Sequence, residues 1–407
     1  MKYFRTGVLL VVLSNLSNLL NYGLMVYISR ALTKNDFAVF SSVTALGISI
    51  TSFLSVFPSL YVLVYNDVNI SKSRRSELVK SLDSWALLIS FVFFVSICML
   101  SFPATTWLNI SSPLPMLFYS VCLFNSLLLQ VLVGYCQGQG RFELLQVQVF
   151  LLTIIKLVAI YLMFTLFNVN VYYVFFAEFI ASGVSLLFLK NWIGYSFIFK
   201  ALIFSEVSLY FKKSIPVGIT LFTSGVLLSS DIVFAKYLFS SEVAGDYSVA
   251  SNLGKIAFFV SGAISGIVFA ITKGEISKGN DTRKVLWLAM LASLLCGGVV
   301  VLLSYLFPNE IILTLFGERY LSSASLFQVL SISMTLLSIN TICFNYFLAG
   351  GNYRYIQYSV FVLSTYSAFI VFGNVDSPQT LAYTVLGVMF LLLSMNIVQI
   401  ARLRSER

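Results

Sequence analysis

Lys212 to Leu253 read KKSIPVGITLFTSGVLLSSDIVFAKYLFSSEVAGDYSVASNL. Two apolar runs flank a short polar break, and the first run carries Asp231 and Lys236 near its end. About 20 apolar helical residues cross the ~30 Å of bilayer hydrocarbon, so the stretch reads as two spanning helices joined by a tight turn. Asp231 needs a reason to be there. An ionisable group inside a span costs insertion energy and normally faces a bundle interior or a wet cavity.

Similar runs recur along all 407 residues, which are 59% hydrophobic and only 10% charged. About a quarter of residues are charged in soluble domains. Twelve spans are predicted, at about 7–29, 38–65, 82–103, 113–136, 145–168, 170–189, 214–238, 245–272, 285–308, 322–349, 355–373 and 379–401. Runs of helical length, rather than ~10-residue alternating segments, exclude a β-barrel. The fold class is an all-α polytopic membrane protein with twelve transmembrane helices. MKYFRTGVLLVVLSNLSNLL has the basic start of a signal peptide but no small-x-small cleavage site, and is read as a retained first helix.

The basic residues orient the spans. Nineteen of the 25 lysines and arginines fall in the termini and alternate loops, four (Arg30, Lys34, Lys236, Arg319) on the opposite face, and Lys156 and Lys255 within spans. Such a bias predicts both termini in the cytoplasm. The formal charge of +9 is then loop charge facing anionic lipid and needs no nucleic acid.

Arg30 to Gly47 (RALTKNDFAVFSSVTALG) and Lys236 to Gly254 (KYLFSSEVAGDYSVASNLG) align with one insertion. The basic residue, Leu32/Leu238, Asp36/Glu242, Ala38/Ala244, Phe40/Tyr247, Ser41/Ser248, Leu46/Leu253 and Gly47/Gly254 coincide. GQGRF (Gly138 to Phe142) echoes GGNYRY (Gly350 to Tyr355) at nearly the same offset. The chain is therefore two six-helix bundles in a 6+6 parallel repeat, 1–189 and 214–407. The aromatic and lysine-rich segment 190–213 joins them as a cytoplasmic, interfacial linker.

Paired bundles of one orientation suit alternating access, with a substrate at their seam. At ~1.5 Å per helical residue, Lys156 and Lys255 lie roughly 15 Å deep, near the midplane, one in each half. Asp231 is nearer the outer boundary, as are Lys236 and Arg30. Polar residues share helix faces with the deep lysines: Ser248 and Asn252 with Lys255, Gln146 and Thr153 with Lys156. Asn15, Asn18 and Tyr22 form a similar face in span 1, and Asn340, Thr341 and Asn345 in span 10. Together they describe a mildly cationic cavity rich in amides and hydroxyls, suited to a sugar on an anionic phosphate. The alternative is structural: Lys156 pairs with Glu178, Lys255 pairs with Asp231, and the amides join helices.

Five dispersed cysteines give neither a disulfide framework nor metal-ligand spacing, and there is no histidine. No G-x-x-x-x-G-K-[ST] loop occurs, since NLGKIAF lacks the first glycine. No cofactor, no metal site and no catalytic residues are expected.

Lys212 to Leu253 resembles the span 7–8 signature of the polysaccharide transporter family, the O-antigen flippases (Wzx type) of the multidrug/oligosaccharidyl-lipid/polysaccharide (MOP) exporter superfamily. The shared elements are Ser214-x-Pro216, Asp231, Gly245 and Tyr247-x-x-Ala250. ISRALTKNDFAVFSS (Ile28 to Ser42) and GQGRF resemble the family's span 1–2 turn and span 4–5 loop. Thr33 and Ala38 stand where that family often has glycine, and VFAITK (Val268 to Lys273) lacks a common proline. The resemblance implies a flippase in the bacterial inner membrane. It would carry undecaprenyl-pyrophosphate-linked oligosaccharide from the cytoplasmic to the periplasmic leaflet, beside polymerase and chain-length proteins of the same pathway. Lys156, Lys255 and Arg30 are then expected to counter the pyrophosphate. Asn15, Asn18, Gln146, Asn252, Asn340 and Asn345 are expected to meet sugar, with Asp231 and Glu178 coupling an ion. Two alternatives stand. An antiporter of the same superfamily would want a more acidic cavity. An O-antigen polymerase, a membrane enzyme, would want a long outward loop bearing arginines, which the sequence lacks.

Overall fold

The structure is a computed structural model and describes residues 2–197 and 204–405. Residues 198–203 of the expected linker, Lys200 included, lie outside the described residues. All regular elements among the described residues are helical: α1 (Lys2–Ala31), α2 (Lys34–Leu54), α3 (Val56–Asn66), α4 (Lys72–Trp107), α5 (Leu114–Gly138), α6 (Phe142–Leu166), α7 (Val171–Ile193), α8 (Phe204–Leu238), α9 (Ser241–Ser277), α10 (Arg283–Leu306), α11 (Pro308–Leu315), α12 (Ala324–Ala349), α13 (Arg354–Phe372) and α14 (Pro378–Ser405), with a 3-10 turn at Glu318–Ser323. Eleven of the described helices are long and apolar enough to cross a membrane, counting α2 with α3 and the 3-10 turn with α12. The 30-residue α1 covers the predicted first span.

Local chemistry sets the breaks. The second predicted span is interrupted at Ser55, because Pro58 in the first turn of α3 has no N–H to continue α2 and its ring crowds the carbonyl four residues back. Gly194, at φ +66°, closes α7 in the left-handed conformation that glycine adopts freely. Residues 204–213, read from sequence as linker, form the first turns of α8.

The chain divides into two compact units, Met1–Gly218 and Ile219–Arg407. In the first, α5 packs against α2, α3, α4 and α7, while α6 packs against α1 and α7. In the second, α12 packs against α9, α10 and α14. Their interiors are built from small hydroxyl residues as well as apolar ones: Ser293 meets Ser338 at 2.7 Å and Ser304 meets Ser331 at 2.9 Å between α10 and α12. Such residues let helices in lipid approach closely. Large apolar side chains such as Phe91, Phe102, Leu166 and Phe390 point outward instead, as lipid-facing positions require.

The repeat is visible in matched local devices. Thr33 caps α2 and Ser240 precedes α9, with equivalent Phe37 N–H to Thr33 and Ala244 N–H to Ser240 carbonyl bonds of 2.9 Å. Gly47 and Gly254 each allow a close helix approach: a Cβ would lie 2.1 Å from the Tyr119 hydroxyl of α5 in one case, and 3.0 Å from the Leu330 carbonyl of α12 in the other. Gly140 and Gly351, after α5 and α12, both take positive φ, +71° and +69°.

Candidate functional site

In the first unit α6 brings three polar side chains to three neighbours. Lys156 forms an ion pair with Glu178 of α7, the lysine side chain 25% exposed and the glutamate 9%. Thr153, one turn earlier, accepts from Asn21 of α1 at 3.0 Å, and Gln148 donates to Ser185 of α7 at 2.7 Å. Tyr119 and Cys122 of α5 lie within electrostatic reach of Glu178. The pair thus sits in a largely dry shell, yet the ammonium stays reachable. Breaking such a pair from one side leaves an uncompensated charge, which is why both members persist in a span.

In the second unit Asp231 of α8 is 1% exposed. Its Oδ2 accepts from Ser251 of α9 at 2.6 Å, while Oδ1 is buried with no hydrogen-bond partner. Lys255, 4% exposed and one helical turn beyond Ser251, is the cation within electrostatic reach. The buried hydroxyls of Tyr247 (α9) and Tyr366 (α13) lie within electrostatic reach of the same charge, and that of Tyr247 has no hydrogen-bond partner. A carboxylate with one orphaned oxygen in hydrocarbon is stable only when a cation or proton balances it. Among the described residues no group of three His, Cys, Asp or Glu could hold a metal.

The polysaccharide biosynthesis protein family matches residues 4–269 of this sequence. The chain belongs to that family. No curated protein matches it. Among solved structures, the fold is similar to a lipid II flippase MurJ in an inward closed conformation, with TM-score 0.78 and 14% identity over 97% of this chain and 87% of that one. It is also similar to an inward-facing multidrug resistance MATE family transporter of the MOP superfamily, with TM-score 0.72 and 12% identity over 96% of each chain. A MOP superfamily transporter from Pyrococcus furiosus gives TM-score 0.67 and 14% identity over 98% of this chain and 96% of that one. The chain shares its fold with these transporters.

The other residues singled out in the sequence separate into two groups. Asn15 and Asn18 are exposed on α1, Arg30 is exposed in its last turn, and Gln146 and Asn252 are half-buried. Asn340, by contrast, is fully buried: it donates to the Met389 carbonyl at 3.0 Å and accepts from Asn396 at 2.8 Å, tying α12 to α14. Asn345 donates to Ser265 of α9 at 2.6 Å. The sequence reading missed Ser251, although its spacing of four from Lys255 puts both on one face. It also missed Asp83 of α4, which accepts from Tyr61 at 2.5 Å and from Tyr195 at 2.7 Å. Burial, then the Asp83 charge, hold the Tyr195 phenol well above its usual range, so it stays a donor.

Proposed function

We propose that this chain is a flippase for a lipid-linked oligosaccharide, the undecaprenyl-pyrophosphate-linked repeat unit of O-antigen or a related polysaccharide. It moves its substrate from the cytoplasmic to the periplasmic leaflet of the inner membrane by alternating access. The observation that carries this reading is the Lys156–Glu178 pair, a deep ammonium held by a carboxylate and still a quarter exposed. A pyrophosphate can replace the carboxylate at such a cation, because charge-assisted bonds to phosphate are of the same strength. Glu178, once displaced, is the candidate for coupling substrate binding to an ion.

Lys255 plays the matching part in the second half, with Asp231 as its exchangeable partner. The exposed amide of Asn18 supports a hydrated path, since an amide facing lipid tails would lack the hydrogen bonds that water supplies. With the basic loops cytoplasmic, the diphosphate headgroup starts on the side of highest positive charge. The family match and the fold of the flippase neighbour agree with this substrate class.

Asp231→Asn is the test. The amide keeps the volume and can still accept from Ser251, so folding and membrane level should hold, while surface polysaccharide falls at least tenfold in a complemented deletion strain. Wild-type polysaccharide from that variant would remove Asp231 from the mechanism.

A further inference from the structure

Where α3 gives way to α4, a cavity of about 330 Å³ opens within the first unit. That is at the low end of the roughly 300–1,000 Å³ of small-ligand clefts. Lys72, Arg75 and Lys80, all from the first turns of α4, line it. So do Tyr65, Tyr135 and Tyr195, packed edge to face with ring centroids 5.8 Å and 4.7 Å apart.

The charges are unbalanced. Asp83 is the one carboxylate of the lining, and it is engaged by the hydroxyls of Tyr61 and Tyr195. Arg75 donates from Nη2 to the Asp67 carbonyl at 3.1 Å, but its Nε is buried without a hydrogen-bond partner. The Asp67 carboxylate is taken up elsewhere: the Asn69 N–H and the Tyr210 hydroxyl donate to it at 3.0 and 2.8 Å. Those bonds, then the charges of Lys213 and Arg75, hold it below the usual carboxylate range. Nearby Arg74 pairs with Glu77 at 2.8 Å, whereas Lys72 and Lys80 have no ion-pair partner among the described residues. Three cations therefore face one cavity whose acid is already satisfied.

The geometry points to a binding site for a phosphate ester, with the phosphate on Lys72, Arg75 and Lys80 and the carbon body of the ester against the tyrosine wall. The start of α4, capped by Ser71, adds backbone N–H groups that favour an anion at the same end. Aromatic faces suit the apolar side of a sugar ring or a glycerol unit and give little to a free anion. The site is separate from the residues proposed for transport. Its ester is either a lipid headgroup at the membrane surface or a soluble phosphorylated molecule, and both present the same phosphate to the same cations.

The test uses the full chain in phosphatidylcholine nanodiscs, with and without phosphatidic acid, and native mass spectrometry to count bound phosphatidic acid. Inorganic phosphate is the soluble probe, followed by its shift of the melting temperature. Lys72→Gln with Lys80→Gln should weaken binding about thirtyfold, a factor of about five for each charge near a membrane surface. Lys72→Arg with Lys80→Arg should restore it, and Lys273→Gln with Lys278→Gln, at the end of α9, should leave it unchanged. Phosphatidic acid that resists excess phosphate assigns the site to a lipid headgroup. A phosphate-dependent melting shift lost in the glutamine variant assigns it to a soluble ester. If the glutamine variant binds both probes like wild type, or the control variant loses binding equally, the proposal fails.

Discussion

Lys156→Gln and Glu178→Gln each leave one charge of a deep pair uncompensated, while the double variant leaves none. Single replacements should therefore destabilise the detergent-solubilised chain by more than the double one does. The single loss should fall toward the lower side of the roughly 3–5 kcal/mol typical of broken buried pairs, because the Lys156 side chain keeps a quarter of its exposure. Thermal unfolding of the three variants checks it; additive losses would mean that the two charges do not interact. This pairing was open to inspection in the sequence, since depth along α6 and α7 puts Lys156 and Glu178 within reach of each other. The partner of Asn340 was not. An amide in a span reads the same whether it faces water or a neighbouring helix, and only the packing of α12 on α14 decides.

At the scale of elements, two glycines of α9 separate packing from composition. An added Cβ at Gly254 would lie 3.0 Å from backbone atoms of Leu330, which cannot swing away, whereas Gly262 has nothing within 4 Å. Gly254→Ala should cost about 1–3 kcal/mol as overpacking. Gly262→Ala should be neutral or gain up to about 1 kcal/mol through helix propensity. Melting temperatures in detergent test both, and equal effects would contradict the close α9–α12 approach. GAISG (Gly262 to Gly266) and GYCQG (Gly134 to Gly138) show the same small-residue spacing in the sequence. In the structure only the second packs closely, with Gly134 against Pro58 and Gly138 against Tyr65. Spacing marks a small-residue face but not whether a helix lies on it. The internal repeat was legible in pairs such as Gly47 and Gly254, because a close helix approach demands a small residue locally. The break at Ser55 was missed, because a continuous apolar run hid the effect of Pro58.

At the scale of the whole molecule, the spans follow from hydropathy, and the charge bias sets the sidedness to be expected. In a cysteine-free background, Asn109→Cys and Glu310→Cys should react with a membrane-impermeant maleimide on intact cells. Ser71→Cys and Asn280→Cys should react only after the cells are opened. The reverse pattern would invert the topology and with it the direction of transport. What the sequence could not supply is the company each polar group keeps, such as the orphaned Asp231 oxygen beside Ser251, Tyr247 and Tyr366, because it depends on how α8 and α9 pack with the distant α13.

The central claim is that this chain moves a lipid-linked oligosaccharide across the membrane. The measurement that tests it most directly is to delete the gene in its native host, size the surface polysaccharide and locate the lipid-linked repeat unit. The account predicts loss of both polymer and single-unit caps, with the intermediate trapped on the cytoplasmic leaflet. Single-unit caps that persist without long chains would mean polymerisation instead, and would contradict it.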